Sequence, residues 1–389
     1  IINFLQFYCV SFIFLFSLLG YGNILTSILK IKKNIPNYRY SMQFLFGVFI
    51  LMNLTLMLIL ITPLKFYVTL IIIFIGIILS LYYKNLNEEK YLLFLIIVSL
   101  VSSIFAFYST DSDDFSYHLR TILFYKENIP FQNLINKIED GQRVSYNSAW
   151  FSLTSLLSLK EIKFSFFCLT STLYAIFIIE LLKDVIKNCN NKEISFSIVY
   201  KFLSLIFTLT IFNKYKDFGS DVPGQLILFL IMIIFLDSFS KKNYFYQLFV
   251  SLIILFITSF VIKVTNFFIF PVLIYFLFKL KFKLQAILFS LVVLPVITLW
   301  LNHNLLISGC FIFPIPELCI SNYEEAKYYN FIIKSFSKSV LKEYIPFETS
   351  EILVNNFGWI KYWLSDHFIR ILEKISILMM ILSIPFFIS

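Results

Sequence analysis

Apolar residues in this chain do not alternate with polar ones; they run together. Predominantly apolar stretches fall at 3–29, 43–62, 66–83, 91–108, 162–182, 195–212, 223–239, 244–262, 266–280, 284–301 and 372–388. A helix needs about 20 apolar residues to cross the hydrocarbon of a bilayer. With no water there to satisfy backbone groups, only helices and closed barrels can cross it. Barrel strands would alternate apolar and polar positions over about ten residues, and none of these stretches does. The pattern predicts an all-α polytopic membrane protein with about 11 transmembrane helices, some outer-face loops carrying short amphipathic helices.

The connections between the stretches fall into two sets. "KIKKNIPNYRY", "YKNLNEEK", "KDVIKNCNNKE", "KKN" and "KLKFK" are short and rich in lysine, which places them in the cytoplasm. Alternation then puts "TPLK", 109–161, "NKYKDFGSDVPG", the "KVTN" join and 302–371 on the outer side. Every chemically unusual segment lies in this second set. The expected organisation is a helical membrane domain over 1–301 that includes the acidic outer loop 109–161. An outer region of short helices over 302–371 and a final helix within 372–389 follow. The first stretch reads as a span, since it is too long for a cleavable leader and lacks a small-residue cleavage site. Cys310 and Cys319 share the outer region, where an oxidising compartment would permit a disulfide.

Composition agrees. Of 389 residues, 59% are hydrophobic and 14% charged, against about 25% charged in soluble domains. The formal charge of +9 is no nucleic-acid signature, because its lysines sit mostly between apolar runs.

One segment breaks the pattern sharply. "STDSDDFSYHL" places Asp111, Asp113, Asp114, Tyr117 and His118 directly after an apolar span. The residues that follow, "FSYHLRTILFYKEN", predict a short helix with Phe115, Leu119, Ile122 and Leu123 at helical spacing. Asp113 or Asp114 suits its N-cap, which accounts for one acid and not for three. Adjacent carboxylates repel unless a cation, a proton or substrate hydrogen bonds stabilise them. Asp114 and His118 stand four apart and share a helix face. Such a pair can bind a divalent ion or orient a base, so Asp111, Asp114 and His118 are candidate ligands for Mg²⁺ or Mn²⁺.

Other candidates lie on the same predicted side. "GQRVSYNSAWF" carries Arg143, a phosphate-binding candidate through a forked hydrogen-bond pair, and Asn147 at the start of a helix. Tyr146 and Trp150 read equally as aromatics of the membrane interface. Asp221, near Pro223, reads as a helix cap or as a group facing a site. Lys263 lies at a membrane boundary, where a lysine snorkels or serves a site; a lipid-linked phosphate would need such a partner. Over 302–371, His303, Trp359, Trp363, Asp366 and His367 suit sugar contacts or headgroup anchoring.

"DDFSYHLRTILFY", followed some thirty residues later by "YNSAWF", resembles bacterial integral-membrane glycosyltransferases of the GT-C superfamily. Weaker echoes stand in "FGSDVPGQ", "FVIKVTNF" and "NHNLLISGCFIFP". The resemblance implies a GT-C-like fold and transfer of a sugar from a polyprenyl-phosphate donor at the outer face of the bacterial inner membrane. It implies a glycan, lipid or protein acceptor and a role in cell-envelope polysaccharide assembly. The family's catalytic aspartate falls on Asp113, four residues before Tyr117-His118-Leu119. One departure is that this loop follows the fourth span, so the N-terminal spans are an addition.

The chemistry needs a base for the acceptor hydroxyl and positive charge for the departing phosphate. Asp113 fits the first and Arg143 or Lys263 the second. With no second carboxylate placed as nucleophile, displacement with inversion is the simplest course. C-x-x-C, H-E-x-x-H, G-x-x-x-x-G-K and G-x-G-x-x-G motifs are absent from the sequence, against a nucleotide-driven pump or a soluble nucleotide-sugar enzyme. A transporter or flippase of lipid-linked glycans is the first alternative; it would carry charges within its spans and paired halves. A polymerase or ligase is the second, and it would lean on arginine in the outer region, where 302–371 holds only Arg370.

Overall fold

The computed structural model describes residues 2–29, 39–83, 89–106, 118–127, 148–159, 162, 165–190, 195–210, 219–238, 245–279, 293–312 and 318–320. Among these the fold is all-helical. The helices are α1 Ile2–Ile28, α2 Arg39–Leu58, α3 Phe66–Tyr82, α4 Glu89–Ala106, α5 Leu119–Glu127 and α6 Ala149–Leu157. They continue as α7 Cys168–Asn190, α8 Phe196–Thr210, α9 Asp221–Ser238, α10 Phe245–Ile262, α11 Phe270–Lys279 and α12 Leu294–Ser308. Four stretches are long and apolar enough to cross a membrane: Asn3–Ile28, Tyr40–Leu58, Ser165–Asn190 and Asp221–Ser238. Six shorter apolar helices accompany them. The protein is a helical membrane protein. The predicted span 372–388 lies outside the described residues.

The chain divides into two compact units, Ile1–His303 and Asn304–Ser389. The centre of the first is α1, which packs against α2, α3, α4 and α7. Hydrocarbon gives helices no hydrophobic reason to associate, so close backbone contact and hydrogen bonds must hold them. Glycines supply the first. A methyl group at Gly22 would collide with the carbonyl oxygen of Gln43, and one at Gly47 with that of Leu18, so α1 and α2 touch backbone to backbone. Gly20 and Gly76 do the same for α1 and α3. A hydroxyl seam supplies the second. Ser102 Oγ lies 3.4 Å from Ser11 Oγ, 2.8 Å from Ser171 Oγ and 3.2 Å from Thr172 Oγ1, joining α1, α4 and α7.

Helix α6 is buried at every position. Nine residues rise only about 14 Å, too little to cross a bilayer. It packs against α2, α3, α5 and α10. Ser148 caps its start by accepting from the Trp150 amide at 3.2 Å. Its end has orphan carbonyls, and neighbours satisfy them. Thr69 Oγ1 donates to Leu156 O at 2.7 Å, and the buried Lys126 ammonium donates to Ser158 O at 2.5 Å and to Thr69 Oγ1 at 3.0 Å. A cation there also meets the negative end of the helix dipole. Trp150 is no interface aromatic: it is fully buried, and its indole N–H donates to Thr170 at 3.2 Å.

Two predicted spans are differently drawn. The 266–280 stretch is a 3₁₀ turn, Val264–Ile269, followed by α11. Of the 284–301 stretch, 284–292 lie outside the described residues, and the described helix runs past its predicted end to Ser308. In the second unit, Gly309 takes φ 69° and ends that helix in the left-handed conformation that glycine adopts without strain. Cys310 and Cys319 are disulfide-bonded, and the pairing around them is tied by Phe311 N–H to Leu318 O and Ile320 N–H to Gly309 O, both 2.9 Å.

Candidate functional site

The described site candidates are His118, Asp221, Lys263 and His303. Asp111, Asp113, Asp114, Tyr117, Arg143 and Asn147 lie outside the described residues, as do Tyr146, Trp359, Trp363, Asp366 and His367.

Lys263 ends α10. Its backbone is extended, φ −147° and ψ 111°, and it opens the 3₁₀ turn. That break turns the side chain toward the first residue of α9, where Lys263 Nζ meets Asp221 Oδ1 at 2.5 Å. The two side chains remain 33% and 63% exposed, so the pair contributes little to stability and stays open to exchange with another charged group. Its geometry is fixed from beneath. Asn266 is buried, and its Nδ2 donates to Ser259 Oγ at 2.7 Å. Gly224, one turn into α9, leaves room for that amide; a methyl there would stand 2.7 Å from it. Lys263 is therefore neither simply snorkelling nor free: it is held against Asp221.

A second joint brings α6 to the same place. Ser148 Oγ donates to Ile262 O at 2.7 Å, in a buried contact. Ser148 therefore bonds both the first turn of its own helix and the residue preceding Lys263. His118, just ahead of α5, is buried with its ring 4.9 Å from that of Phe151 in α6. Three stretches far apart in sequence thus meet: the turn of "YNSAWF", the end of "FVIKVTNF" and the start of α9 in "FGSDVPGQ". Asn147 is bonded to Ser148 in the chain, and Asp114 precedes His118 by four residues.

His303 lies in α12, whose Trp300 packs on Phe260 of α10 with ring centroids 5.6 Å apart. It is fully buried, with its ring 5.7 Å from that of Tyr125 in α5, so it is not open to a ligand arriving from water. Of the candidate metal ligands only His118 is described. Among the described residues, no group of three or more His, Cys, Asp or Glu side chains is placed to hold a metal ion.

Sequence reasoning missed the buried charges. Lys201 of α8 reaches Asp184 Oδ2 of α7 at 2.6 Å and both carboxylate oxygens of Asp237 of α9 at 2.9 Å. Ser197 Oγ donates to Asp237 Oδ1 at 2.5 Å. Glu180, one turn before Asp184, accepts from the amides of Tyr40 and Ser41 at 2.9 Å and from the Ser41 hydroxyl. Its carboxyl group sits at the positive end of α2. The segment "KDVIKNCN" is the last part of α7 and not a loop. The readable signal was the four-residue spacing of Glu180 and Asp184, which places both on one helix face.

The family described as "Domain of unknown function (DUF8201)" matches residues 5–389. No curated protein and no solved structure matches the chain.

Proposed function

The chain belongs to that family, and we propose that it is a GT-C-like membrane glycosyltransferase with about 11 spans, moving sugar from a polyprenyl-phosphate donor at the outer face of the bacterial inner membrane. The observation that carries this reading is the meeting point at Lys263. Two of the weaker echoes of the GT-C resemblance are tied by the Lys263–Asp221 pair, and the "YNSAWF" turn is tied to them by Ser148.

In this reading the donor phosphate competes with Asp221 for Lys263, and Arg143 adds a second positive contact. The Asp113 carboxylate takes the proton of the acceptor hydroxyl. The acceptor oxygen bonds to the anomeric carbon, the carbon–oxygen bond to phosphate breaks, and polyprenyl phosphate leaves with the electron pair. One displacement inverts the anomeric centre. Tyr117, Asn147 and His118 position these groups. A Mg²⁺ or Mn²⁺ held by Asp111, Asp114 and His118 would add charge to stabilise the leaving phosphate. The acceptor is a glycan, lipid or protein of the cell envelope.

The test is Lys263→Met, assayed with purified protein and a polyprenyl-phosphate sugar. Hydrogen bonds to charged groups contribute about 1.5–3 kcal/mol, so the apparent KM for donor should rise about 10-fold or more. Unchanged donor use would remove Lys263 from the site.

A second reading gains from one observation. Asp184, Lys201 and Asp237 bury ionisable groups toward the ends of α7, α8 and α9, where a transporter or flippase of lipid-linked glycans would use them. Movement of labelled lipid-linked sugar across proteoliposomes, with no transfer product, would favour it.

A further inference from the structure

Helices α1 and α3 touch closely at Gly20 and Gly76, where Ser80 Oγ donates to Phe16 O at 2.9 Å and Tyr21 donates to Ile72 O at 2.8 Å. Ahead of that contact they leave a groove of about 480 Å³ lined by Ile13, Leu70, Ile71, Ile73, Phe74 and Ile77. This volume lies within the roughly 300–1,000 Å³ of pockets that hold small ligands, yet every lining side chain is apolar. Ile71 and Phe74 are 56% and 63% exposed, so the groove opens sideways into the bilayer. From Leu70 to Ile77 it runs about 10 Å along α3.

The head of the groove is different. Lys65 caps α3 in an extended conformation, with no side-chain cap bond. It stands about 7.5 Å above Leu70 along the helix. Tyr67 lies one turn above Ile71 and is exposed. Among the described residues, neither Lys65 nor Tyr67 has a side-chain hydrogen bond or ion pair. A lysine beside exposed Phe66 and Tyr67 marks the level of lipid headgroups, and one lysine there attracts an anionic lipid surface.

We infer that the α1–α3 groove with Lys65 is a binding site for an anionic phospholipid. One acyl chain lies along Leu70–Ile77, and the phosphate headgroup is held by Lys65 and the Tyr67 hydroxyl. The site is separate from the Asp221–Lys263 pair and does not depend on the proposed activity. Net charge selects the lipid: the groove would hold any acyl chain, but a headgroup of net negative charge gains more from Lys65 than a zwitterionic one whose ammonium offsets its phosphate.

The experiment is native mass spectrometry of the full chain released from detergent, titrated with phosphatidylglycerol or phosphatidylcholine. Wild type should hold phosphatidylglycerol about five-fold more tightly, the worth of one lysine at an anionic surface. Lys65→Gln should erase that preference, and Ile71→Trp, which fills the groove, should weaken both lipids. Lys279→Gln, an exposed lysine ending α11, should match wild type. A preference that survives Lys65→Gln, or binding that is unchanged in Ile71→Trp, would overturn the site.

Discussion

Replacing Lys201 by Met removes the ammonium that bridges Asp184 and Asp237. The Lys201 side chain is 3% exposed, that of Asp184 fully buried and that of Asp237 13% exposed, so water replaces the ammonium poorly. The ammonium meets three carboxylate oxygens at 2.6–2.9 Å, holding α7, α8 and α9 together. Breaking a buried pair by removing one partner costs about 3–5 kcal/mol, because a charge is left uncompensated. At about 2–4 °C per kcal/mol for a domain of 150–250 residues, the melting temperature should fall by on the order of 10 °C. The assay is thermal unfolding in detergent micelles followed by intrinsic fluorescence. A triple variant, Lys201→Met with Asp184→Asn and Asp237→Asn, separates charge from shape. It carries no uncompensated charge and should recover most of the loss. If Lys201→Met melts with wild type, the charges are not coupled. If the triple variant melts as low as the single one, the lysine acts through packing alone.

Other expectations follow from contacts of different kinds. Gly47→Leu drives a side chain into the Leu18 carbonyl and should cost at least the roughly 1–3 kcal/mol of overpacking, seen as aggregation on size exclusion. Gly224→Ala collides with the end of the Asn266 side chain and touches Lys263 Cβ at ordinary contact distance, so it should cost less, with its effect confined to the Lys263 turn. Single cysteines at Asn133 and Lys187 should label from opposite sides of the membrane; labelling from the same side would break the proposed orientation.

The long apolar helices were legible because apolar runs of uniform character admit few alternatives. The described helix Phe245–Ile262 ends where the predicted 244–262 does. The boundary errors have local causes. Pro271 stands second in α11, and proline favours a helix start. It marks where the turn Val264–Ile269 gives way to α11, inside a run that hydropathy alone treats as continuous. Gly309 likewise marked the end of α12, which polar "NHN" disguised. The buried charges were illegible for another reason. Lys201 disappears within "SIVYKFLSL", and Asp184 within a lysine-rich segment that reads as a loop, because apolar content says nothing of which polar groups meet across helices. At the site, Lys263 and Asp221 were each identified, but their pairing depends on a backbone turn at 263 that spacing does not reveal.

The central claim is that Asp113 is the base in sugar transfer, and one substitution tests it most directly. Asn caps a helix about as well as Asp, so Asp113→Asn should fold and express like wild type. It cannot accept the acceptor's proton, which is typically worth about 10²–10⁴-fold in rate. Sugar transfer from a polyprenyl-phosphate donor by purified protein, matched for quantity, should fall by that factor, while Asp114→Asn loses less. Full transfer activity in Asp113→Asn would contradict the account.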